Sequence, residues 1–143
     1  MRSLIASLVG VALLAGCQTT EEKLVEGGAQ PLTADEVAAL VVGNTLYTAS
    51  DRWRHHSYYA PDGTAAGRTT WDGGEESASA VWEISEDGLW CRDWDNDWGG
   101  GEHGCQAVYP AGDGDYWFIY RRGSHGETKD FKVTVLEGNP EAL

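Results

Sequence analysis

Ser77-Ala78-Ser79-Ala80-Val81-Trp82-Glu83-Ile84-Ser85-Glu86-Asp87-Gly88-Leu89 is the stretch that decides the fold. From Ser77 to Ile84 it alternates, with Ala78, Ala80, Trp82 and Ile84 on one face and Ser77, Ser79 and Glu83 on the other. Side chains of a strand alternate between its two faces, so this is a strand with one face against a core. Glu86-Asp87-Gly88 then supplies a turn, because acidic residues favour turn initiation and glycine tolerates φ > 0.

The same grammar extends in both directions. Asn44–Ser50, Trp53–Ala60, Thr64–Thr70, Leu89–Arg92, Gln106–Tyr109, Tyr116–Arg121 and Lys129–Glu137 read as further strands, the last with Phe131, Val133 and Val135 on one face. Pro61-Asp62-Gly63, Asp72-Gly73-Gly74 and Pro110-Ala111-Gly112-Asp113-Gly114 separate them as turns. About eight short strands joined by hairpin-like turns predict a mainly β fold, an antiparallel meander curled into a small barrel or strongly bent sheet to hide its edges. A two-sheet sandwich is the competing architecture.

One short helix precedes the strands. Thr33-Ala34-Asp35-Glu36 is a capping box, Leu32 and Val37 have the spacing of a hydrophobic staple, and Val37, Leu40 and Val41 share a helical face. Gly43 can adopt the left-handed conformation that ends a helix, which places the element at 34–42.

The beginning of the chain carries a different signal. Arg2 precedes an uncharged apolar run from Leu4 to Leu14, a signal-peptide core too short to span a bilayer as a helix. Leu14-Ala15-Gly16-Cys17 follows and resembles the lipobox of bacterial lipoproteins. That resemblance implies cleavage of residues 1–16, acylation of Cys17 and a membrane anchor, and multiple acyl chains hold a protein stably. Gln18 stands where an aspartate would favour inner-membrane retention under enteric sorting rules, so the expected location is the outer membrane, facing the periplasm. Residues 17–30 lack the periodicity of a packed element and read as a flexible tether, residues 31–140 as a single β-rich domain and 141–143 as a tail.

Cys17 being consumed by lipid, Cys91 and Cys105 remain to form a disulfide in an oxidising compartment. A cross-link there offsets up to about 3 kcal/mol of the cost of ordering the intervening segment. Neither C-x-x-C nor C-x-x-C-H occurs, which argues against zinc and haem.

The chain carries 23 acidic and 10 basic residues, a formal net charge of −13. That charge disfavours nucleic acid and anionic headgroups as partners and keeps a small exported domain soluble. It also suits a basic protein partner, such as a lysozyme held by an acidic inhibitor.

Three further readings concern chemistry. Asp93, Asp95 and Asp97, with Glu102 behind them, begin like a calcium loop, but Trp98 stands where an EF-hand needs glycine and Gly104 where it needs a bidentate glutamate. An irregular Ca²⁺ site stabilising a structural envelope protein is the expectation they raise. Seven tryptophans and six tyrosines raise another, a pocket for a sugar or an apolar ligand. Trp82 belongs to the core by its alternation, whereas Trp94 and Trp98, in a charged loop, are expected to be exposed and available to a ligand. His55 and His56 on one strand must face opposite ways, and His103 and His125 fall in glycine-rich loops. No G-x-S-x-G, H-E-x-x-H or phosphate loop is present, so the chain reads as a non-enzymatic binding module for a small ligand or a protein partner.

The segments Tyr58-Tyr59-Ala60-Pro61-Asp62-Gly63-Thr64 and Trp82-Glu83-Ile84-Ser85-Glu86-Asp87-Gly88-Leu89-Trp90-Cys91, with a second cysteine downstream and a leading Leu32-Thr33 helix ending at Gly43-Asn44, resemble a family of short exported proteobacterial proteins known as a domain of unknown function. The resemblance implies fold and location, and it carries no catalytic residue to this chain. The acidic, glycine-rich segment between the cysteines departs from that pattern.

Overall fold

Eight strands hydrogen-bond in chain order, and the last closes on the first. They are β1 (Thr45–Ala49), β2 (Trp53–Tyr59), β3 (Thr64–Trp71), β4 (Gly74–Ile84), β5 (Trp90–Trp94), β6 (Gly104–Pro110), β7 (Tyr116–Arg122) and β8 (Phe131–Leu136). The computed structural model describes residues 16–98, 103–123 and 130–143, so the apolar run before Ala15, Glu102 and His125 lie outside the described residues. All neighbouring strands are antiparallel. Closure sets Thr45, Leu46 and Tyr47 opposite Leu136, Val135 and Thr134. The architecture is thus the predicted meander barrel, and the β1–β8 seam excludes a sandwich. Closure satisfies both edges of the sheet, which an open meander would leave to pair with other chains.

Three strand limits differ from the sequence reading for a local reason. β4 begins at Gly74, because Asp72 and Gly73 alone make the connection and set Trp71 opposite Gly74. Gly73 takes φ 88°, which glycine adopts without steric cost. Likewise β5 runs on to Trp94 and β6 starts at Gly104, so Asp93 and Trp94 belong to the sheet and not to the loop.

Helix α2 (Ala34–Val41) carries the expected capping box: Glu36 N–H donates to Thr33 Oγ1 at 3.3 Å and Thr33 N–H to Glu36 Oε2 at 2.8 Å. Val37 and Val41 are fully buried and complete the barrel core at the end where β1 starts and β8 finishes. Leu32 N–H donates to Val108 O at 2.8 Å, and Gly43, at φ 74°, donates to Tyr59 O at 2.8 Å. The helix therefore closes one end of the barrel as a plug.

The stretch expected to be a tether is instead partly a second helix, α1 (Thr20–Glu26). Its signal is local and has the same form as that of α2. Thr19 and Glu22 form a capping box, with Thr19 N–H donating to Glu22 Oε2 at 2.7 Å. Leu24 and Ala29 pack on an outer cluster made by Leu89, Cys91, Cys105, Ala107, Tyr109 and Ile119. Tyr109 Oη donates to Glu21 Oε1 at 2.7 Å, and Arg121 donates to both Glu21 oxygens. This docked helix explains why β6 is buried at every position from Gly104 to Tyr109: barrel core covers one face and the outer cluster the other. No helix among the described residues is long and apolar enough to cross a membrane.

The disulfide joins Cys91 and Cys105, directly opposed in β5 and β6. It lies within the outer cluster to which α1 docks, so the bond ties two strands together and supports the helix seat.

Candidate functional site

With α2 filling one end, the inward side chains of the other half enclose a cavity of about 900 Å³. It extends to the connections β1–β2 and β3–β4, where Asp51, Arg52 and Asp72 stand at the rim. Strand alternation supplies its walls: Leu46 from β1, His55 and Ser57 from β2, Thr69 from β3, Trp90, Arg92 and Trp94 from β5, and Phe131 and Val133 from β8. The volume falls within the range of pockets that hold a small organic molecule, and the lining is dominated by apolar and aromatic groups.

Trp94 and Trp98, expected at the surface, are turned inward. Trp94 is buried, Trp98 is half-buried, and their rings meet edge to face at 5.1 Å. Placing Trp94 within β5 is what aims it inward, on the same face as Trp90 and Arg92. Their rings lie across Gly67 of β3, where an added Cβ would sit 2.7 Å from Trp94 and 2.9 Å from Trp98. Glycine at that position is thus the complement of the two indoles. His55 closes the group, edge-on to Trp98 at 4.8 Å, with Nδ1 2.8 Å from Thr69 Oγ1. Burial, with smaller contributions from Arg92 and His56, pushes its imidazole down to about 4, so it is neutral at ordinary pH. His56 faces the other way, against the Tyr47 ring and 3.8 Å from Glu141.

Sequence reasoning missed the residue at the centre of the cavity. Arg92 is 5 % exposed, and its guanidinium carbon sits 3.8 Å above the Trp90 ring and 5.9 Å from that of Phe131. It donates to the fully buried Gln106 Oε1. Among the described residues no carboxylate forms an ion pair with it. Burial lowers its pKa, but an arginine remains charged. Beside it, Tyr59 is fully buried, its phenol pushed up by burial against an opposing pull from Arg92. Arg92 Nε and Trp90 Nε1 are buried without a hydrogen-bond partner from the protein. The available clue was Arg92 itself, two residues from Trp90 and therefore on its face of β5, an inward position if Trp90 is core.

Trp53 and Trp71 form a second missed feature. They face each other across β2 and β3, are 38 % and 45 % exposed, and stand at the open rim. Their position at strand ends beside Asp51-Arg52 and Asp72-Gly73 was the signal.

The described part of the acidic segment, which does not include Glu102, gathers no metal site. Asp93 accepts from His103, at 2.5 Å from its N–H and 3.1 Å from Nδ1. Asp95 instead accepts from Ser79 N–H at 3.1 Å, while Asp95 N–H donates to Ser79 O at 2.9 Å. Two of the three aspartates are thus engaged by different partners. Among the described residues no group of three or more His, Cys, Asp or Glu could hold a metal ion. Asp93 lies within β5 and Asp95 just beyond its end, each with its own partner. Cys17 is free and exposed.

Comparison with protein-family models, curated proteins and solved structures returned no match.

Proposed function

We propose that this protein is a cell-envelope lipoprotein, anchored through acylated Cys17 at the outer membrane, whose barrel binds a small apolar ligand without transforming it. The observation that carries the reading is the cavity of about 900 Å³ walled by Trp90, Trp94, Trp98, Leu46, Phe131 and Val133 and open at one end. An eight-stranded barrel is just wide enough to hold one small ligand, and apolar walls favour an apolar guest over a sugar. Binding is favoured over catalysis because the one histidine facing the cavity among the described residues, His55, is a weak base, with its Nδ1 held at Thr69.

Titration of the full chain with small apolar molecules, followed by tryptophan fluorescence and by native mass spectrometry, tests the binding. The expected result is a saturable spectral change and one guest per chain. Absence of both across aliphatic and aromatic guests refutes the reading. The anchor is tested separately, since protein from its native envelope should carry diacylglyceryl mass on Cys17 and Cys17→Ser should be released in soluble form. An unacylated Cys17 in that material refutes the anchor and leaves the cavity reading standing.

A further inference from the structure

We infer that the ligand is a monoanionic amphiphile, an apolar body ending in a carboxylate-type head, and that Arg92 is the residue that receives the head. This rests on the proposed binding function and names its ligand class. A fully charged guanidinium withdrawn from water needs an opposite charge or a complete set of hydrogen-bond acceptors. Arg92 has neutral protein partners, Gln106 Oε1 and the neighbouring Tyr59 phenol, and no carboxylate partner among the described residues. Its Nε and the Nε1 of Trp90, on whose ring the guanidinium lies at 3.8 Å, are buried without a hydrogen-bond partner. Two unpaired N–H groups, one of them cationic, thus lie side by side in the cavity wall. Buried polar groups left so are rare in folded proteins and call for a partner.

The rest of the cavity sets the shape of that partner. Trp90 and Arg92 both line it, with Trp94, Trp98, Leu46, Val133 and Phe131 as apolar neighbours and only the uncharged polar groups of Thr48, His55, Ser57 and Thr69 among them. Such a wall accepts a chain or a flat ring system and offers little to a second charge. A head with two acceptor oxygens matches a guanidinium edge. The carboxylates of Asp51 and Asp72 at the rim, with the net charge of −13, repel an approaching anion. That repulsion acts on entry and is screened by salt, whereas the buried contact with Arg92 is screened far less. Association should therefore quicken as ionic strength rises, the reverse of the usual steering.

The test pairs decanoate with decanol on the wild-type full chain, measured by tryptophan fluorescence and by thermal shift, and repeats both with Arg92→Met. Methionine removes the charge and fills similar space, a change that cores tolerate when it replaces a buried ion. The expected result is that decanoate binds the wild type at least about tenfold more tightly than decanol, the size of one charge-assisted pair. Arg92→Met should erase that difference, bringing decanoate and decanol to equal affinity. Equal wild-type affinities for acid and alcohol overturn the inference and leave the apolar-ligand function intact. Failure of both to bind overturns both. Should Arg92→Met not fold, the wild-type comparison decides alone. 2-Naphthoate against 2-naphthol repeats the charge comparison with a flat body, and whichever acid binds more tightly identifies a chain or a ring as the guest.

Discussion

At the residue scale, His55 couples the cavity to pH. Its imidazole titrates near 6.5 in an unfolded chain and at about 4 in the barrel, chiefly because burial penalises the charged form. The unfolded chain therefore binds the additional proton first. Stability is undiminished above 6.5, declines as pH falls through the interval, and levels off below about 4, with a total loss on the order of 3 kcal/mol. Urea midpoints measured between pH 7 and pH 4 should show that decline, and His55→Gln should flatten it. Glu21, Asp62, Asp87 and Asp113 are held below their ordinary values by hydrogen bonds, from Arg121, Thr64, Ser85 and Lys132 respectively, so their contribution disappears only in more acid solution. A decline that persists unchanged in His55→Gln would show that the histidine is not its source. Single residues were also where sequence reasoning fell short. Alternation located the inward face of β4 from Ala78 to Ile84, but Arg92 and Trp94 followed a glycine turn and sat beside an acidic run that suggested a loop. Their orientation depends on how far β5 continues, which only the partner strands decide.

At the scale of elements, the disulfide and α1 form one unit. Cys91 and Cys105 sit opposite each other beneath the helix, and the outer cluster includes both. Replacing both by serine should lower stability by about 3 kcal/mol, as expected for a loop of this length, read from denaturant unfolding in the absence of reductant. It should also raise amide exchange in Thr20–Glu26, because the seat loses apolar contacts. A loss confined to global stability, with α1 exchange unaltered, would separate the two. Capping boxes made both helices legible in principle: Thr33-x-x-Glu36 was followed by an evident apolar stripe, whereas Thr19-x-x-Glu22 was followed by only Leu24 and Val25 before Gly27-Gly28. A helix that short is recognisable only through what it docks against.

For the whole molecule, closure is uneven. β8 meets β1 over Thr134–Leu136 and β7 over Phe131–Val133, whereas β3 and β4 pair along the full length of Thr64–Trp71. Native-state hydrogen exchange should show β8 opening at a lower free energy than the β3–β4 hairpin. Equal protection would mean that the barrel opens only as one cooperative body. That eight strands would curl was readable from the turn spacing and the need to hide edges. That a cavity would remain was not, because it depends on α2 filling only one end and on small residues paired with one another across β3 and β4, Ala65 with Ala80 and Gly67 with Ala78.

The seating of α1 also fixes a distance. Glu21 is clasped by Arg121 near the end of β7, the end at which Trp53 and Trp71 stand, and Gln18 and Thr19 alone separate Cys17 from the helix. That spacer reaches about 10 Å at full extension. Acyl chains on Cys17 would therefore leave the barrel no room to range away from the leaflet that holds it.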